Sequence, residues 1–122
     1  MDKAQAIHSF WSGFLTAYNE NSVPEYETLT YPYITYDLVI DSFGREVGMS
    51  AMLHYRDQSW RDINYKVAEI ESYIGRGGRW IAFDGGKALI RRAQPFAQPR
   101  SDANDSMIKQ FIINISCEYV TE

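Results

Sequence analysis

The sequence predicts an α+β domain, a mainly antiparallel sheet of about five strands packed by two helices in the order α-β-β-α-β-β-β. Three observations carry this prediction. Apolar residues recur at spacings of three and four in two stretches, they alternate with polar residues in five others, and glycine or proline punctuates the joints. The 122 residues fit a single domain, 1–122. A domain of this size buries roughly two thirds of the surface that its unfolded chain exposes.

The first helix is expected over residues 4–18, where Ala4, Ile7, Trp11, Phe14, Leu15 and Tyr18 fall on one face. Asn19, Asn21, Ser22 and Pro24 then supply turn formers and a stop. Ile34, Tyr36, Leu38 and Ile40 alternate with more polar residues and predict a strand over 33–41. Ser42-Phe43-Gly44-Arg45 predicts a turn, and Val47, Met49, Ala51, Leu53 and Tyr55 predict the returning strand of a hairpin.

Ser59-Trp60-Arg61-Asp62 has the form of a capping box ahead of Trp60, Ile63, Val67, Ile70 and Ile74 at helical spacing. Gly75 follows where a left-handed helix cap belongs. Strands at 79–83 and 88–92 flank Asp84-Gly85-Gly86-Lys87, which predicts a tight hairpin. Two prolines and clustered Ser, Asp and Asn predict an exposed, mobile loop at 95–106. Phe111, Ile113, Ile115, Cys117 and Tyr119 then share one face of a long last strand.

Hydrophobic residues make up 45% of the chain and aromatics 15%, too apolar a composition for disorder. Nine tyrosines supply surface that is both apolar and hydrogen-bonding, as protein interfaces do. The apolar runs fall far short of the ~20 residues that span a bilayer. The opening Met-Asp-Lys-Ala-Gln has no signal-peptide character, and the one cysteine has no intramolecular partner. The expectation is a soluble, intracellular-type protein.

Net charge is −4, which argues against a general nucleic-acid binder. The charge is unevenly distributed. Residues 76–100 hold Arg76, Arg79, Lys87, Arg91, Arg92 and Arg100 against Asp84 alone, a net +5; the other six cations and fifteen acids leave −9 elsewhere. Such polarity suits a basic surface that meets the acidic surface of another copy. Arg91 and Arg92, adjacent on a strand, are expected on opposite faces, one packed near the helices with a carboxylate and the other more exposed.

Catalytic motifs are not found. His8, His54 and Cys117 fall on separate predicted elements without metal-ligand spacing, so no metal and no cofactor are expected. Gly75-Arg76-Gly77-Gly78 closes a helix, whereas a phosphate loop opens one. Gly85-Gly86-Lys87 lacks the following Ser or Thr of a nucleotide-binding loop. Asp37 and Asp41 share a strand face in this reading, as an acid–base pair or as an ordinary solvated face.

The order of elements, with Thr30-Tyr31-Pro32-Tyr33-Ile34-Thr35-Tyr36 entering the first strand and Gly78-Arg79-Trp80-Ile81 entering the second hairpin, resembles the tail terminator proteins of long-tailed bacteriophages over most of the chain. The 95–106 segment looks like an insertion that such proteins carry between their last strands. The resemblance implies a non-enzymatic virion protein, assembled in the host cytoplasm. It implies a ring of typically six copies at the tail neck, capping the tail tube, ending its polymerisation and offering a docking surface to the head. The partners it implies are the chain itself, the tail tube protein and a head-neck connector, with no membrane and no specific nucleic acid. Other neck and tail-completion proteins share this topology.

Arg79, Arg91, Arg92, Arg100, Asp102 and Asp105 are the expected partner-binding residues. Two other readings remain at this stage. One is a small-molecule enzyme or binder resembling the nuclear transport factor 2-like proteins, with Asp37 as base and a tyrosine as donor. The other is a nucleic-acid-binding hairpin using Arg79, Arg91 and Arg92 with Trp80, recognisable by salt-dependent binding.

Overall fold

A computed structural model of the chain describes residues 1–25, 29–41 and 45–121. The α+β class holds, with two helices and six strands among these residues. Helix α1 spans Lys3–Ser12, β1 Thr16–Asn19, β2 Tyr33–Tyr36, β3 Glu46–Arg56, α2 Arg61–Ile74, β4 Arg79–Phe83, β5 Gly86–Ser101 and β6 Ile108–Thr121. The sheet order is β1-β2-β3-β6-β5-β4, antiparallel throughout except for the β1–β2 pair.

The first expected helix is too long. Asp2 accepts the Gln5 amide while the Gln5 side chain accepts the Asp2 amide, a reciprocal cap that starts α1. The helix ends at Gly13, whose amide closes on Ser9. Phe14 and Leu15 pack against the core from outside any helix, and Tyr18 lies in β1. Parallel pairing of β1 with β2, from Thr16 opposite Tyr33 to Asn19 opposite Tyr36, overrides the helical spacing. A short 3-10 turn over Glu20–Ser22 follows, where Asn19 caps Asn21.

The first hairpin forms with Tyr36 opposite Ala51, but β2 is shorter than the strand expected over 33–41. Its continuation leaves the sheet. Val39 accepts a hydrogen bond from the Tyr119 hydroxyl at 2.8 Å, and Asp41 offers its carbonyl to Lys3 at 3.2 Å. Asp37 and Asp41 therefore share no strand face. The expected turn at Ser42–Arg45 lies mostly outside the described residues, since 42–44 are not among them.

Helix α2 buries Ile63, Ile70 and Ile74 as its spacing requires. The expected capping box does not form. Trp60 holds the cap position without a side-chain bond, and Ser59 Oγ accepts from Arg61 instead. Gly75 has positive φ, 74°, but ψ of 175° takes it outside the left-handed helical region. The second hairpin turns on Asp84-Gly85, with Phe83 opposite Gly86 and Gly85 at φ 88°. Gly86 is required for space, because a Cβ there would lie 2.2 Å from the Val120 carbonyl.

The segment expected as a loop at 95–106 is mostly strand. Strand β5 continues to Ser101, and only residues 102–107 connect it to β6. Register breaks between Arg92, opposite Ile115, and Ala97, opposite Ile113, so residues 93–96 bulge against the single Asn114. Asn114 donates to the Pro95 carbonyl at 2.9 Å and closes the bulge. Prolines are tolerated here because β4 begins at Arg79 opposite Ile90, leaving the outer side of β5 beyond that point without a strand to bond among the described residues.

The helices cover one face of the sheet. Phe111, Ile113, Ile115, Cys117 and Tyr119 of β6 meet Ile7, Phe10 and Trp11 of α1 and the three buried isoleucines of α2 in one cluster. Trp11 is fully buried, and its Nε1 is left without an acceptor among the described residues. The opposite face carries Glu46, Ser50, Met52 and His54 of β3 beside Gln110, Ile112, Asn114 and Glu118 of β6. None of the eight is buried.

Candidate subunit interface

The expected partner-binding residues are scattered, and most are engaged within the chain. Asp105 accepts from the Arg56 guanidinium at 2.7 Å and from the Met107 amide at 2.9 Å. The amide, then the arginine, hold its carboxyl below the usual range. Asp102 accepts the Asn104 amide. Lys109 reaches the Ser106 carbonyl, and the Asp57 amide bonds to Met107. These bonds tie the 102–107 turn to β3 and β6 and remove Asp105 as a free contact residue.

Arg79 donates to the Tyr73 carbonyl at 3.0 Å and lies 4.0 Å over the Tyr73 ring, which fastens the start of β4 to α2. Arg91 and Arg92 do take opposite faces. Arg92 turns to the helix side, 3.6 Å from Glu71 of α2, while Arg91 bonds Glu46 at 2.7 Å on the uncovered face. Both find carboxylates, because β5 runs between α2 on one face and the start of β3 across β6 on the other. Arg100 is exposed and makes no ion pair among the described residues.

Around the bulge the arginines converge. Arg76, Arg91, Arg92, Gln94, Phe96 and Glu71 line a depression of about 450 Å³ beside the uncovered edge of β5. Gly78 makes this possible. At φ 93° it takes a backbone conformation that L side chains rarely adopt, and a Cβ there would lie 2.8 Å from the Ile90 carbonyl. The chain can thus pass tight against β5 and leave Arg76 at the rim. A 3.6 Å ion pair is too long for a hydrogen bond, so Arg92 keeps its donors available. Arg76 is exposed and has no ion pair among the described residues. The sequence displayed Arg76 within its basic stretch, but only the bulge joins it to Arg92.

A second cluster occupies the uncovered face near the start of β2. His54 stacks on Tyr33 at 4.4 Å, and Tyr18 and Tyr31 pack edgewise or tilted against Tyr33. Its Nδ1 accepts from Gln110 at 3.2 Å, so its Nε2 donates to Thr35 Oγ1 at 2.8 Å. Burial lowers its pKa to about 4. The imidazole is neutral at pH 7 and acts as a cross-strand polar link.

The acid–base reading lacks a geometric basis among the described residues. Asp37 accepts the Ser50 amide at 2.7 Å. Burial pushes the Cys117 thiol up to about 11, outweighing its contact with Tyr119. His8 pairs with the Tyr36 hydroxyl, away from His54. Among these residues no group of three or more His, Cys, Asp or Glu is placed to hold a metal, and no helix is long and apolar enough to cross a membrane. The chain matches no family model, no curated protein and no solved structure.

Proposed function

We propose that the chain is a structural assembly subunit of the tail-terminator type, which associates head to tail into a closed ring on the tail tube and offers one rim to the head-neck connector. The observation that carries this reading is the placement of charge by the sheet order. Strands β1 and β2 form one edge, and the described residues of the stretch 16–37 include Glu20, Glu25 and Asp37 with no lysine or arginine. Strands β5 and β4 form the other edge and carry Arg79, Lys87, Arg91, Arg92 and Arg100, with Arg76 just ahead of β4. A heterologous interface joins one patch to a different patch on the next copy and closes into a ring when the rotation permits. Opposite charge on opposite edges favours that contact over a two-fold one, which would set like charges together.

Native mass spectrometry of the purified chain, alone and with tail tubes, tests the reading. The expected result is one closed oligomer whose assembly weakens as salt rises. A monomer that also fails to bind tail tubes at low salt overturns it.

A further inference from the structure

We infer that the depression beside the β5 bulge is the receptor for one segment of a second copy of this chain, residues 20–25. The inference rests on the assembly reading above and assigns the contact within it. Among the described residues, the receptor offers Arg76 and Arg92 with unused donors, a half-buried Phe96, and a β5 edge past Ile90 that no strand covers. It therefore suits an occupant with extended backbone, an apolar side chain and flanking carboxylates.

Residues 20–25 combine flanking carboxylates with an apolar side chain, and their backbone is extended at Val23, just past the 3-10 turn of Glu20–Ser22. Glu20 and Glu25 flank Val23, whose backbone is extended at φ −74° and ψ 130°. Val23 is 37% exposed, one of the few large apolar residues so exposed among those described. Within one chain this segment follows β1, at the far edge of the sheet from β5, so the match requires another copy. Guanidiniums bind carboxylates through paired donors and stack flat on neighbouring groups, which suits a shallow basin better than ammonium groups would. Pro95 and Pro99 lack an amide hydrogen and so prevent a full strand from adding along β5. The bulge thus accepts a short extended segment and blocks open-ended sheet growth.

The test is charge exchange. Sedimentation velocity is run on the full chain, on Arg76→Glu, on Glu20→Arg and on the double variant, with circular dichroism on each to confirm folding. Each single reversal is expected to weaken association about tenfold or more, and the double variant to recover most of that loss, because the exchanged pair attracts again. Two controls extend the test: Val23→Asp is expected to weaken assembly, and Lys66→Glu, on α2, to leave it unchanged. Wild-type assembly indifferent to both single reversals overturns this inference and leaves the assembly reading standing. So does a double variant no better than either single one. A wild-type chain that stays monomeric with and without tail tubes overturns both.

Discussion

The two faces of the sheet are made by the same strands and held by different forces. On the helix side, Ile113, Ile115 and Cys117 of β6 are at most 1% exposed and lie within the hydrophobic cluster. One residue away, Ile112, Asn114 and Ser116 are half-buried, and their neighbours are joined by directional links: Ser50 to Asn114, Asn114 to Pro95, His54 to Thr35 and Gln110, Arg91 to Glu46. The first face derives its stability from exclusion of water, which scales with area and tolerates no missing volume. The second derives little net stability from each bond, since water competes for every partner. It sets register and surface chemistry.

The widest gap is expected between neighbours on β6. Replacing Ile113 by Ala leaves a cavity between sheet and helices and should cost about 3–4 kcal/mol in urea unfolding. Replacing Ile112 by Ala should cost less than about 1 kcal/mol, because solvent already reaches it. Equal costs would mean that the uncovered face is packed within the single chain.

The next expectation concerns His54. Its folded pKa of about 4 lies below the unfolded value of about 6.5, so below the latter the unfolded chain binds the proton first. Its contribution is full above pH 6.5 and falls away as pH drops to 4. After allowance for partial solvent screening the loss is about 2 kcal/mol. His54→Gln should flatten the stability slope between pH 6.5 and 5 relative to wild type. An unchanged slope there would show that the ring titrates as if in water.

Smaller effects follow on the same face. Asn114→Ala removes the donor to Pro95 and the acceptor for Ser50, and should cost about 1 kcal/mol with loss of hydrogen-exchange protection around the bulge. Arg91→Ala breaks an exposed pair with Glu46 and should shift stability by about 0.5 kcal/mol or less, with little remaining in high salt. A larger Arg91 effect would move that pair from surface decoration to a fold determinant.

Strands β3 and β6 and helix α2 could be read from the chain because their signal is local. Alternation with period two places Met49, Ala51, Leu53 and Tyr55 opposite Ile115, Ile113, Phe111 and Lys109 without knowledge of the partner. Strand β1 could not be read, since Phe14, Leu15 and Tyr18 prolong the spacing of Ile7 and Trp11, and only the distant β2 competes with the helix for that backbone. The strand within 95–106 was hidden for a related reason. Proline signals a loop wherever both sides of a strand must bond, and here one side has no strand beside it among the described residues.

The uneven charge was visible in residue order, and so was the expectation that Arg91 and Arg92 part to opposite faces. What only the tertiary structure decided is where the charges sit. The sheet order β1-β2-β3-β6-β5-β4 carries the acidic and basic stretches to separate edges, and the bulge at 93–96 draws Arg76 to Arg92. Neighbours along a strand are set by bond geometry over a few ångströms, whereas strand order is chosen by whichever long-range pairings bury the most apolar surface. No local pattern encodes that choice.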